Sequence, residues 1–475
     1  MSSRDEPVAD MNELAQTLAN RLGHSGWLSG ADAMGYRRDW LDRYGEEPLG
    51  VARPASTEDV AFVVAACSAA GVSLTPQGGN TSLCGASVLG KAGGVILSLS
   101  RMSFIGKPDS SAGSVEVEAG VVLATLHESL LDDGLIFPMH LGAEGSAQIG
   151  GLISTNAGGS HALRYGMMRD LVLGIEVVLP DGRIWNGLRA VQKDNAGYQL
   201  RQLFCGAEGT LGVVTRAVLK LYPAPRHRAT ALLAAPDVPS LLDFGKRLRA
   251  NASEFISGLE FFCDFGLQLA LRHVSGLRFP LQEHAPWYLL VELNAGSSLV
   301  PLEQIFESTL AEGLEFGEVT DGVLAVNEAQ RAALWRLREE QPDGQRLEGP
   351  QLKHDIAVPP GRLAEFITQA CELCERFLPG VRVNPFGHMG DGNTHFNLTP
   401  PADQSDFGDM ASVLAREIGA LAGGLGGSFA AEHGLGRSKV ALADALRSPV
   451  ERELMLTLKR AFDPSNLINP GAILK

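Results

Sequence analysis

Nowhere in this 475-residue chain does an apolar run reach the roughly 20 residues that a bilayer-spanning helix needs. Basic residues are the minority, 40 Lys and Arg against 55 Asp and Glu, for a formal net charge of −15. That balance argues against nucleic acid and anionic membrane surfaces as partners, although a local cluster of Arg and Lys would still suit an anionic substrate. The opening Met1-Ser2-Ser3-Arg4-Asp5-Glu6-Pro7 lacks the basic-then-apolar order of a secretory signal, so a cytoplasmic location is expected. Cysteine is scarce: Cys67, Cys84, Cys205, Cys263, Cys371 and Cys374 are scattered through apolar or glycine-rich sequence. Cys371 and Cys374 have the spacing of a redox or zinc pair but fall within a helical pattern with no second pair nearby, so they read as reduced bystanders. Internal repeats and a low-complexity tail are also missing.

What remains is ordinary globular sequence, 45% hydrophobic and 20% charged. The length exceeds what one core sustains, so two or three domains are expected. A short helix is predicted from Asp10 to Leu22. From Gly50 the texture becomes α/β: Ser56 caps a helix that runs to Ala70 and stops at Gly71, and a strand over Val72–Pro76 follows. That strand leads into Gln77-Gly78-Gly79-Asn80-Thr81-Ser82, a turn whose backbone N–H groups suit a phosphate. Its glycine spacing is not that of the Rossmann fingerprint. Strands are expected at Val95–Leu99 and Ser114–Val121, with a helix around Leu123–Asp132. Further glycine-rich segments follow at residues 142–159 and 205–215, the latter running into a strand at Val218–Tyr222. Three such turns in one domain point to a long ligand lying against the backbone. Pro223-Ala224-Pro225 reads as a linker. Beyond it, strands at Ala229–Ala235 and Trp287–Leu293, a helix over Gln330–Glu340 and a strand over Gln351–Pro359 make an α+β pattern.

The chemistry concentrates near the C-terminus. In Asn384–Asn397, the run Gly390-Asp391-Gly392-Asn393 reads as a tight hairpin turn with His388 on one strand and His395 on the other. The period of two puts Asn397 on the face of His395. Glu432 and His433, in Ala431-Glu432-His433-Gly434, supply a hard oxygen and a titratable imidazole. Two His, one carboxylate and an open position are the make-up of a catalytic zinc centre.

In combination these segments resemble the FAD-linked D-2-hydroxyacid dehydrogenases, flavoproteins of the vanillyl-alcohol-oxidase (PCMH) type, from about residue 35 onward. The resemblance implies an α+β fold. An N-terminal helical segment (1–48) would precede a two-part FAD-binding domain (49–225), followed by an α+β substrate or cap domain (226–475). It implies non-covalent FAD held by Gln77, Gly78, Gly79, Asn80, Thr81 and Ser82, by Gly142, Ser146, Gly150, Gly151, Asn156, Ala157 and Gly158, by Glu208, Gly212 and Val214, and by Asn469. It further implies metal ligands His388, His395 and Glu432, usually on zinc, a catalytic base at His433, and substrate contacts from Arg338, Lys353 and Asn397. The implied reaction is oxidation of a D-2-hydroxy acid to the 2-oxo acid with hydride passing to flavin N5. A D-2-hydroxyglutarate-like substrate is favoured, with D-lactate- or glycolate-type acids as alternatives. Quinone or electron-transfer flavoprotein is the expected acceptor of a dehydrogenase, with an oxidase that uses oxygen as the alternative, and a homodimer is the expected state.

Two positions depart from the family pattern. Gln77 stands where an arginine usually opens the pyrophosphate loop, removing a charge. Pro342, four residues after Arg338, stands where a hydroxyl residue helps hold a distal carboxylate, and so bears on substrate identity. A zinc hydrolase would share the His-His-Glu set but leaves the three glycine segments unexplained. A non-catalytic flavin-binding subunit would keep the fold without turnover.

Overall fold

The computed structural model describes residues 11–475. The first ten, which include the start of the helix expected from Asp10 and the sequence before it, lie outside the described residues. The chain divides into two compact units. One runs to Gly158 and resumes at Met167–Tyr222 and Glu432–Lys475; the other takes Gly159–Gly166 and Pro223–Ala431.

The first unit is built on two four-stranded sheets. In one, Val95–Ser98 pairs in parallel with both Gly50–Ala52 and Leu74–Gln77, and Trp27–Leu28 closes the edge antiparallel. Ser56 accepts from Asp59 N at 3.2 Å and starts the helix Thr57–Ala70, which ends at Gly71 in the left-handed region, as its sequence required. This helix buries Val60, Val63, Val64 and Cys67 against Leu74, Val95 and Leu97, with Leu14 and Leu18 of the helix Met11–Leu22 on the same core. The C-terminal segment returns to this sheet: Ile468 bridges Leu74, and Asn469 N donates to Leu74 O at 2.7 Å. The second sheet is antiparallel, in the order Ser114–Glu118, Val213–Lys220, Val172–Val178, Ile184–Gly187.

Two strand limits differ from expectation. The strand before the helix Leu123–Leu130 stops at Glu118, because Gly120 comes so close to Leu99 O that the chain must turn there. The strand expected from Val218 starts at Val213, since the β-branched Val213, Val214 and Thr215 already fit the ladder once Gly209 has turned the chain.

The second unit is a seven-stranded antiparallel sheet. Its order is Asp321–Leu324, His227–Ala235, Trp287–Ala295, Ile256–Cys263, Arg382–His388, Asn393–Thr399, Asp355–Ala357. The helices Asp264–His273 and Glu328–Glu339 close one part of its core, where Phe262, Tyr288, Leu290, Trp335 and Phe386 pack together. The last strand, expected over Gln351–Pro359, narrows to Asp355–Ala357 between Pro350 and the pair Pro359-Pro360, with Leu352 making a single bridge to Leu398. Among the described residues, no helix is long and apolar enough to cross a membrane. All six cysteines are free thiols, Cys371 half-buried and the rest buried.

Candidate functional site

The hairpin forms as the sequence indicated, with Arg382–His388 and Asn393–Thr399 joined by a four-residue turn. Of the turn residues, Gly392 alone takes a positive φ. A side chain there would overlap Val358 O, so the turn is seated against the chain that leaves the edge strand. The Arg249 guanidinium binds Gly390 O and fixes the turn from another side. In register His388 faces Asn393, and His395 faces Phe386, so the two histidines are diagonal neighbours on one face. Their ring centroids lie 5.8 Å apart at 74°.

The same register runs into the neighbouring strand, where Glu260 pairs with His388. Glu260 is 1% exposed. Its Oε1 lies 2.5 Å from His388 Nδ1 and its Oε2 3.0 Å from Arg338 Nη2. Burial alone would push this carboxyl up, but His388 and Arg338 outweigh it and hold it below the ordinary range. Arg338 is 8% exposed, with its guanidinium over the Phe386 ring at 4.8 Å. Arg338 Nε is buried and has no hydrogen-bond partner among the described residues.

The three arginines of the helix Glu328–Glu339 thus separate. Arg336 pairs with Glu340 on the surface, while Arg331 bridges Glu328 and the buried Glu292. Glu292 also takes the Trp335 indole N–H at 2.8 Å. Although burial raises it, His161, Trp335 and Arg331 together hold its carboxyl down to about 2.

Asn397 is buried on the face of His395, and its Nδ2 donates to Gln345 Oε1 at 3.1 Å. Lys353 is exposed in the short link between Leu352 and the edge strand. Pro342 occupies the first turn of the helix Gln341–Glu348, where its missing N–H costs nothing.

The glycine segments converge within the first unit. Gly79 lies so close to Ser146 O that any side chain there would overlap it, so the turn at residues 78–82 rests directly on the second segment. The N–H groups of Gly78, Gly79, Asn80, Thr81 and Ser82 donate to no protein acceptor among the described residues. A turn with spare donors beside small residues suits a diphosphate.

Several residues expected at the cofactor have side chains engaged with the protein. Gln77 Nε2 donates to Tyr36 O and Ser87 O, holding the turn from below. Asn156, left-handed at φ 50°, caps the helix Ile149–Thr155 and accepts from Arg169 N. Gly212 and Val214 pack against Val177 of the second sheet. Asn469 donates to Ala86 O and Glu208 O and accepts from Arg437 Nη2. Glu208 takes Leu435 N and Gly436 N, each at 2.8 Å, so it anchors the segment just after Glu432 and His433. Burial pushes the Glu208 carboxyl up, and those two N–H groups oppose the shift.

Sequence reasoning missed Glu260, whose only sign was a charged residue inside the apolar run Ile256–Cys263. It also missed a cluster in the first unit. His127 of the helix Leu123–Leu130 lies with His140 and Glu144, their ligand atoms within 4.8 Å of one another.

Two family models match the chain: an FAD binding domain over residues 48–187 and the C-terminal domain of FAD linked oxidases over residues 224–473. The D-2-hydroxyglutarate dehydrogenase of Xanthomonas citri pv. viticola is 36% identical over 448 residues, 93% of each chain. The mitochondrial enzyme of that name from Bos taurus is 36% identical over 439 residues, 92% of this chain and 78% of its own. In fold the chain resembles p-cresol methylhydroxylase with substrate bound, at a TM-score of 0.76 and 16% identity, covering 97% of this chain and 96% of that one. The 4-ethylphenol oxidase of Gulosibacter chungangensis gives 0.73 and 18%, covering 99% and 98%. The two-part flavin-binding architecture implied by the family resemblance is therefore present.

Proposed function

This chain is a member of the FAD-linked D-2-hydroxyacid dehydrogenase family, an FAD-dependent oxidoreductase acting on CH–OH donors, and we propose that its substrate is a dicarboxylate of the D-2-hydroxyglutarate kind. The observation that carries the substrate class is Arg338. It is a buried guanidinium beside the histidine pair, and its Nε has no partner among the described residues. A buried donor of that kind is matched by a carboxylate oxygen, and an arginine fork gives such contacts both strength and direction.

In the proposed reaction the substrate loses two electrons and two protons as its C2 alcohol becomes a ketone. Arg338 and the exposed Lys353 neutralise its carboxylates. Asn397, its rotamer fixed by Gln345, orients the hydroxy-acid end. His433 takes the hydroxyl proton, a role worth ~10²–10⁴-fold in rate.

His388, His395 and Glu432 would hold a divalent ion of the zinc type. Support comes from the two histidines, which face each other across the hairpin with ring centroids 5.8 Å apart. When bound, such an ion lowers the pKa of the substrate hydroxyl. FAD would be held non-covalently, with the spare N–H groups of residues 78–82 at its diphosphate, and when bound supplies the two-electron acceptor. The remaining residues assigned from the sequence would line it, with Gln77, Glu208 and Asn469 acting by holding the surrounding chain in place. A quinone or electron-transfer flavoprotein as acceptor, a homodimer and a cytoplasmic location complete the proposal, supported by the family likeness and sequence composition.

Pro342 favours a second reading, a monocarboxylate such as D-lactate, because it offers no hydroxyl to a distal carboxylate. Steady-state kcat/KM with an artificial electron acceptor separates the two. A preference for D-2-hydroxyglutarate that Arg338→Ala abolishes supports the dicarboxylate. Equal or better use of D-lactate removes it.

A further inference from the structure

Glu260 is a carboxylate in the middle of a seven-stranded sheet, in a strand otherwise nearly all apolar. A buried carboxylate is strongly unfavourable unless paired and hydrogen-bonded. Here each oxygen has its own partner, and both partners belong to the proposed site: Oε1 meets His388 Nδ1 at 2.5 Å, and Oε2 meets Arg338 Nη2 at 3.0 Å.

The chemistry of this arrangement is directional. A carboxylate only accepts, so the proton between it and His388 sits on Nδ1, which makes Nε2 the accepting nitrogen of the ring. A carboxylate behind a metal-binding imidazole fixes its ring orientation and raises its basicity. On the other side, Oε2 tethers one end of the Arg338 fork while the Phe386 ring supports its plane at 4.8 Å. The register sets Glu260 directly across from His388, and the helix Glu328–Glu339 brings Arg338 to its other oxygen. Trp335 packs on Gly258, and so seats the helix carrying Arg338 over that strand.

We propose that Glu260 is a positioning residue that sets His388 as an Nε2 metal ligand and aims Arg338 at the substrate carboxylate. This rests on the metal and substrate assignments above. One side chain then tunes metal affinity and substrate affinity together.

The test uses the full-length flavoprotein, with Zn²⁺ alone as the probe in a competition with a chromophoric chelator. Because Glu260→Leu by itself would strand the Arg338 charge, the informative variant is the double Glu260→Leu/Arg338→Leu, compared with Arg338→Leu alone. Replacing a buried ion pair by apolar side chains of similar size keeps a fold stable. The double variant is expected to keep its flavin and unfolding midpoint but to bind Zn²⁺ about 10–100-fold more weakly than Arg338→Leu. Equal Zn²⁺ affinity in the two would overturn the proposal while leaving the metal site standing. If His388→Ala also binds Zn²⁺ as the unaltered protein does, the metal assignment itself falls and takes the proposal with it. In a second arm, Glu260→Gln should raise KM for D-2-hydroxyglutarate at least tenfold while its flavin content stays unchanged. An unchanged KM would refute the tether to Arg338.

Discussion

Gly434 follows His433 directly, and its replacement by alanine has a cost that can be worked out from two features. Its φ is +71°, and an alanine Cβ would lie 2.4 Å from Glu208 Oε1. The left-handed backbone costs about 1–2 kcal/mol for a residue with a Cβ. Relieving the collision moves the carboxylate away from Leu435 N and Gly436 N, each now at 2.8 Å. Losing one hydrogen bond to a charged acceptor costs about 1.5–3 kcal/mol. Gly434→Ala should therefore destabilise the first unit by about 3–5 kcal/mol, a fall in unfolding midpoint of order 10 °C. The two contributions separate in a double-mutant cycle. In a Glu208→Ala background the collision is gone, so Gly434→Ala should cost only the backbone part, about 1–2 kcal/mol. Urea unfolding followed by flavin fluorescence measures all four proteins. Equal costs in the two backgrounds, within ~0.5 kcal/mol, would refute the claim that Glu208 braces this segment.

Gly79→Ala drives a methyl group into Ser146 O, so the purified variant should lose its FAD, read as the ratio of flavin to protein absorbance. His433→Ala should slow flavin reduction by ~10²–10⁴-fold in stopped flow while flavin and metal content stay unchanged. Burial, reinforced by His140, pushes the His127 imidazole down to about 4 from 6.5. The unfolded chain therefore takes up this proton near pH 6.5 and the folded chain only near pH 4, so stability is complete above 6.5 and falls by about 3 kcal/mol as pH drops through that window. His127→Gln should flatten the slope in urea titrations between pH 6.5 and 4, and an unchanged slope would assign it elsewhere.

What the sequence made legible was local. Ser56 and Gly71 bracket a helix through hydrogen bonds within a few residues of each end, and the turn at Gly392 needs the one residue that accepts its φ. Those signals lie in adjacent letters. Glu260 was illegible because its partners are 78 and 128 positions away, Arg338 and His388, and become its neighbours only through strand register and helix packing. The contacts of Gln77, Glu208 and Asn469 were hidden for the same reason. A motif marks these residues as belonging near a cofactor, yet their side chains bind Tyr36, Leu435 and Ala86, contacts that only the folded chain creates. The short edge strand at Asp355–Ala357 shows the reverse case, in which flanking prolines bound a strand expected to run over Gln351–Pro359.

The most direct measurement is an anaerobic titration of the purified flavoprotein with D-2-hydroxyglutarate, following the flavin band near ~450 nm, beside the L-isomer and a chelator-treated sample. Bleaching by the D-isomer alone, abolished by the chelator and restored by zinc, is the expected result. A flavin band that no D-2-hydroxy acid bleaches would contradict the assigned chemistry.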